Sequence, residues 1–124
     1  MEERPPPHAA APQSAGARLP GTPEPMHFWQ GASGNRIAGD TWGDPRGPLV
    51  ILQHGGGQTR HAWKRAGTTL GAAGYHAVSI DARGHGDSDW VADGAYGQDT
   101  MVADLVSVIA QLGQRRPVLV GASM

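Results

Sequence analysis

Three short segments of this sequence gather the residues able to do chemistry: His54-Gly55-Gly56-Gly57, Asp81-Ala82-Arg83-Gly84-His85-Gly86-Asp87-Ser88-Asp89 and Gly121-Ala122-Ser123-Met124. Each is rich in glycine, which lets backbone N–H groups come close to a ligand. One such loop is an ordinary turn, whereas three at one place make a site built from backbone donors. His54, His85 and Asp81 offer acid–base or metal-binding chemistry, but their spacing matches no standard ligand motif, so neither a metal nor a cofactor is expected. Asp81 and Arg83 either bind a charged substrate or anchor their own loop as a pair, and the anchoring role is the preferred reading. Gly84-His85-Gly86 does not complete the Gly-x-Gly-x-x-Gly pattern of a dinucleotide site.

Whether the three segments meet depends on the elements that carry them. His27-Phe28-Trp29 and Arg36-Ile37-Ala38-Gly39-Asp40-Thr41-Trp42 flank Ala32-Ser33-Gly34-Asn35, whose Gly and Asn suit a tight turn, so an antiparallel hairpin is expected. Residues 43–48, with two Gly and two Pro, form a loop. Leu49-Val50-Ile51-Leu52 is a short apolar run between breakers, as in a strand covered on both faces. A helix over 62–73 follows, with Trp63, Ala66 and Leu70 at helical spacing and Gly74 closing it. His76-Ala77-Val78-Ser79-Ile80 is a second buried-type strand. Met101, Leu105, Val108, Ile109 and Leu112 mark a second helix, with Asp99 serving its first free N–H groups and Gly113 ending it. Pro117-Val118-Leu119-Val120 is a third strand. This alternation predicts an α/β fold with a parallel sheet and right-handed crossovers. Functional loops in such sheets leave the carboxyl ends of the strands, and each of the three segments directly follows one of the three strands.

Composition narrows the function classes. The chain has 124 residues, one domain at most. Residues 1–25 are rich in Pro, Ala and Gly and read as a disordered tail, which leaves 26–124 for the folded part. Lys plus Arg total 10 and Asp plus Glu total 11, so the basic footprint of a nucleic-acid partner is missing. The absence of cysteine excludes disulfides, thiolate metal sites and a Cys nucleophile within these residues. No apolar run approaches the roughly 20 residues of a membrane helix, and the start lacks the apolar stretch of a signal peptide. The expectation is a cytoplasmic protein that acts on a small-molecule substrate without nucleic acid or membrane as partner. The oligomeric state is open.

With the element order in place, residues 27–124 resemble the N-terminal half of the α/β-hydrolase fold family: a hairpin, then parallel strands with crossover helices. Val118-Leu119-Val120-Gly121-Ala122-Ser123-Met124 is similar to the family's central strand and nucleophile elbow, Gly-x-Ser-x-Gly. There the serine sits on a sharp, strained strand-to-helix turn among small residues. The resemblance implies that Ser123 is the nucleophile. It also implies that His54-Gly55-Gly56-Gly57 supplies one oxyanion-hole N–H, from Gly56 or its neighbour Gly57, and that Met124 supplies the second. Losing one such donor typically costs about 3–4 kcal/mol of transition-state stabilisation. Residues 81–88 resemble the Asp-x-Arg-Gly-x-Gly-x-Ser loop, read here as architectural. The family order is Ser, acid, then His, which makes His54 a loop-stabilising residue rather than the base, and His85 likewise. Trp63 has two even readings, lining the pocket or packing on the sheet.

The implied activity is hydrolysis of carboxylic esters or related carbonyl compounds through an acyl-enzyme on Ser123. Perhydrolase or cofactor-free haloperoxidase behaviour and carbon–carbon bond hydrolysis also fall within the resemblance. Epoxide and haloalkane hydrolysis fit less well, because those branches carry Asp where this chain has Ser123. The last Gly of the motif, the acid and the base all fall after Met124. A serine without a base is a poor nucleophile. The 124 residues alone are therefore expected to be inactive and to present an apolar edge at 117–120. The competing reading is an inactive fragment, or the same fold used for ligand binding.

Overall fold

The computed structural model describes residues 12–13, 23–55, 57–91, 96–113 and 116–121. The elements in chain order are β1 (Pro12–Gln13), β2 (His27–Gln30), β3 (Arg36–Trp42), β4 (Leu49–Gln53), a 3₁₀ turn (Arg60–Trp63) leading into α1 (Lys64–Ala72), β5 (His76–Ile80), β6 (Trp90–Val91), α2 (Gln98–Gln111) and β7 (Val118–Gly121).

Five strands form one sheet in the order β2-β3-β5-β4-β7. β2 and β3 make the expected antiparallel hairpin, with Gly34 at φ +76° in its turn. β3 also runs antiparallel to β5, while β4 is parallel to both β5 and β7. The sheet is thus mixed, and its parallel part is the part that carries the site. α1 crosses from β4 to β5 and α2 from β5 to β7.

Alternation along β4 explains why it reads as an unbroken apolar run. Leu49 and Ile51 join Ile37, Val78 and Ile80 under Leu105 and Val108 of α2. Val50 and Leu52 join Ala77 on the other face, against Trp63 and Leu70. Successive strand residues point to opposite faces, so the two helices cover opposite sides of the sheet. α1 lies close to β3 because Gly67 and Gly71 face Trp42; a Cβ at either would collide with that residue. It ends at Gly74, φ +99°, with the Tyr75 N–H donating to the Leu70 carbonyl at 3.1 Å.

Several boundaries differ from the sequence reading for clear reasons. The first helix starts as a 3₁₀ turn at Arg60 and becomes α-helical only at Lys64. The third strand begins at Val118, because Pro117 has no N–H for the ladder, and it extends to Gly121. α2 begins after Gly97, which is the N-cap residue and makes no side-chain cap bond; Asp99 lies in the first turn. Pro12–Gln13, inside the segment read as a disordered tail, pairs antiparallel with Trp90–Val91. The other residues of 1–22 lie outside the described residues. Among the described residues no helix is long and apolar enough to cross a membrane.

Candidate active site

The register of the parallel strands sets the geometry. Gln53 of β4 stands opposite both Ile80 of β5 and Gly121 of β7, so the three strands end level. The chain therefore leaves the sheet after residues 53 and 80 at neighbouring points, beside Gly121, the last described residue of β7. Of the residues singled out from the sequence, Gly56, Ser123 and Met124 lie outside the described residues. Gly57 is exposed in a turn closed by the Gln58 N–H donating to the Gly55 carbonyl at 3.1 Å. Its φ of +76° is a conformation that favours glycine, which gives this glycine a conformational reason of its own.

His54 is 8% exposed and bridges two rim loops. Its Nε2 accepts the Ala82 N–H at 3.0 Å, and its Nδ1 lies 2.9 Å from the Gly55 carbonyl. The ring of His85 sits 5.0 Å away, tilted by 46°. His85 in turn donates from Nδ1 to the carbonyl of Arg83 at 3.1 Å.

Asp81 and Arg83 do not pair with each other; each reaches a different element. Arg83 grips Asp104 of α2, Nε to Oδ2 at 2.6 Å and Nη2 to Oδ1 at 2.7 Å. Asp104 also accepts the Ala32 N–H at 2.8 Å, which ties the hairpin turn to the same point. Asp81 is bound by Arg60, a residue the sequence reading passed over. Both are 0% exposed. Arg60 also reaches Asp40 at 2.9 Å and Asp87 at 2.8 Å. Burial would lower the Arg60 guanidinium's affinity for its proton, but the hydrogen bonds to Asp87 and Asp81 and the charges of Asp81 and Asp40 outweigh it and raise the value above the ordinary one. The loop is further pinned by Ser88, whose hydroxyl donates to the Asp81 carbonyl at 2.5 Å and accepts the Ala38 N–H at 2.8 Å.

A cleft of about 480 Å³ opens at this rim, between the loop ends and α2. Its walls include Ile37, Ile80, Met101 and Leu105, with His54 and Gly121 at the strand ends. Its charged residues, Arg83 and Asp104, neutralise each other. Trp63 does not line it; the ring packs on the opposite face of the sheet with Val50 and Leu52. Among the described residues no group of three His, Asp or Glu is placed to hold a metal ion.

A family model described as the alpha/beta hydrolase fold matches residues 48–124. The chain is 36% identical over 99 residues to an epoxide hydrolase of Mycobacterium tuberculosis, covering 77% of this chain and 28% of that protein. It is also 36% identical over 83 residues to an esterase of the same organism, covering 67% of this chain and 26% of that protein. Among solved structures it is similar to a thioesterase domain from the curacin biosynthetic pathway, with a TM-score of 0.72 and 34% identity over 79% of this chain and 36% of that one. The chain thus spans about a quarter of the length of these curated relatives.

Proposed function

The chain belongs to the α/β-hydrolase fold family, and on that footing we propose that its protein is a serine-dependent hydrolase acting on carboxylic ester-like or related carbonyl compounds. Ser123 Oγ attacks the carbonyl carbon, and the oxyanion that forms is held by the N–H groups of Gly56, with Gly57 as its neighbour, and of Met124. Collapse of that intermediate expels the alcohol and leaves the acyl group on Ser123, from which water releases it. The observation that carries this reading is the level ending of β4 and β7, Gln53 opposite Gly121, which starts the His54 loop and the Ser123 segment side by side.

The proton of Ser123 needs an acceptor, and His54 does not serve, since both its ring nitrogens are engaged. The base therefore comes from elsewhere in the protein. Among the relatives, the epoxide hydrolases suggest a different substrate and the esterase and thioesterase the one proposed here. Ser123 supports the latter reading: the resemblance expects a carboxylate at the nucleophile position of the epoxide branch. The same reading includes a cytoplasmic location and a small-molecule substrate.

A fluorophosphonate probe tests the nucleophile. The active protein is expected to be labelled, and labelling is expected to vanish in Ser123→Ala; a variant that still labels removes Ser123 from the mechanism. The codons after Met124 test the rest. A Gly codon next, then a later Asp or Glu and a His in frame, supports the enzyme, while an immediate stop codon leaves the non-catalytic reading.

A further inference from the structure

We infer that Gln53 and His85 select esters that carry a neutral hydroxyl group on an otherwise apolar acyl chain. The inference rests on the serine-hydrolase reading and names the substrate class of that same site. Gln53 stands out because of the row it belongs to. Along β4, Leu49 and Ile51 point into the apolar layer under α2, together with Val78 and Ile80. Side chains two apart on a strand share a face, so Gln53 continues that row, beside Ile80. It is half-buried and lines the cleft, and its amide has no hydrogen-bond partner among the described residues. A leucine would fill the row equally well, whereas polar groups taken out of water are normally paired. The partner for this amide comes from the cleft.

The other polar side chains of the cleft are engaged or face bulk water, with one exception. Arg83 and Asp104 hold each other. The Tyr96 hydroxyl accepts the Val91 N–H at 2.6 Å and donates to the Val91 carbonyl at 3.1 Å. Both ring nitrogens of His54 bind backbone groups. Gln98 is exposed at the start of α2. The exception is His85. Its Nδ1 donates to the Arg83 carbonyl at 3.1 Å, so the neutral ring presents Nε2 as a bare acceptor. Nε2 has no partner among the described residues, and the ring lies 5.0 Å from that of His54, the residue after Gln53. The site thus offers an amide NH₂ that donates and an imidazole nitrogen that accepts. A hydroxyl answers both: its oxygen accepts from Gln53 and its proton goes to His85. A charged group suits the cleft less, because Arg83 and Asp104 cancel and the walls at Ile37, Ile80, Met101 and Leu105 are apolar. The hydroxyl belongs to the acyl part of the ester. Gly121 forms part of the wall and lies two residues before Ser123, to which the acyl group stays bonded until water releases it.

The test compares p-nitrophenyl β-hydroxybutyrate with p-nitrophenyl butyrate, which share a leaving group and differ by one oxygen. A hydrogen bond between neutral groups corresponds to a factor of up to about ten. The active protein is therefore expected to favour the hydroxylated ester about tenfold in kcat/KM. Gln53→Leu completes the apolar row, and His85→Phe keeps a ring beside His54. In each variant the ratio of the two kcat/KM values is expected to fall several-fold, and the melting temperature of Gln53→Leu is expected not to fall. A wild-type ratio near one overturns the inference, and so does a ratio that both substitutions leave unchanged. A lower melting temperature in Gln53→Leu also overturns it, because the amide would then serve the fold rather than a ligand. Fluorophosphonate labelling separates the two levels. A protein that labels at Ser123 and shows no preference loses this inference alone; one that does not label loses the serine-hydrolase reading, and the inference with it.

Discussion

Asp81 takes both ends of Arg60. The Arg60 backbone N–H donates to Oδ1 at 2.6 Å, and its guanidinium Nη1 donates to Oδ2 at 2.6 Å. The first residue beyond β5 thereby fixes the first residue of the 3₁₀ turn that follows the His54 loop. The same guanidinium binds Asp40 of β3 and Asp87 of the second rim loop. One buried cation thus joins three segments that approach the candidate site.

Removing that cation leaves several carboxylates in a place built around it. Arg60→Ala is expected to cost about 3–5 kcal/mol, the usual penalty for breaking a buried ion pair from one side. Urea denaturation of both proteins at neutral pH measures this. A loss below about 1 kcal/mol would place the pair with surface ion pairs and refute the keystone role.

The Arg83–Asp104 pair is the tether between the second rim loop and α2. A double-mutant cycle with Arg83→Ala and Asp104→Ala should give a coupling of about 1–3 kcal/mol, as contacting groups in one network do. Asp104→Ala alone should be the worse single change, because it also frees the Ala32 N–H of the hairpin turn. Additive effects in the cycle would show that the pair does not couple the second rim loop to α2.

Asp44 is exposed, and its carboxyl is held below the ordinary value of 3.8, mainly by the backbone N–H of Arg46 and then by the Arg46 side chain. A folded-state value that is depressed gives a small stabilisation, complete above 3.8 and lost as the pH falls through the folded value. In an NMR titration the Asp44 midpoint should lie below 3.8. Arg46→Ala should move it upward only part of the way, because the larger backbone contribution survives. A full return to the ordinary value would mean that the side chain, not the backbone, holds the charge.

β7 pairs only with β4 among the described residues, and Val118 and Leu119 are 58% and 52% exposed. Adjacent strand residues point to opposite faces, so this strand shows apolar surface on both. The 124-residue chain should self-associate, and Val118→Lys or Leu119→Lys should reduce light scattering at equal concentration, since a lysine on an edge strand blocks edge-to-edge pairing. Unchanged scattering in both variants would place the sticky surface elsewhere.

The strands of the site were readable because each is a short apolar run closed by Pro or Gly. Their common rim followed from the parallel order, and Gln53 opposite Ile80 and Gly121 shows how level that rim is. Ion-pair partners were not readable. Asp81 and Arg83 stand two apart and look like a pair, yet each binds a residue 21 positions away. Nothing local distinguishes Arg60, in a polar stretch that reads as solvated, from an exposed arginine; its burial is decided by carboxylates at 40, 81 and 87. The even choice over Trp63 is resolved by strand alternation, which gives its face of the sheet to Val50 and Leu52. β1 carries no alternating pattern, since its pairing with β6 is a backbone matter.

The strand order also dictates a timetable. β4 lies between β5 and β7, yet β7 is made long after it. During synthesis the hairpin, β4 and β5 can assemble as soon as residue 80 emerges, but the other edge of β4 must wait for residue 118. At about 5–20 residues per second that wait lasts on the order of seconds. Through it, an apolar strand that ends up fully enclosed stands with one row of backbone groups open, at the stage when a nascent chain is most exposed to its neighbours and to chaperones.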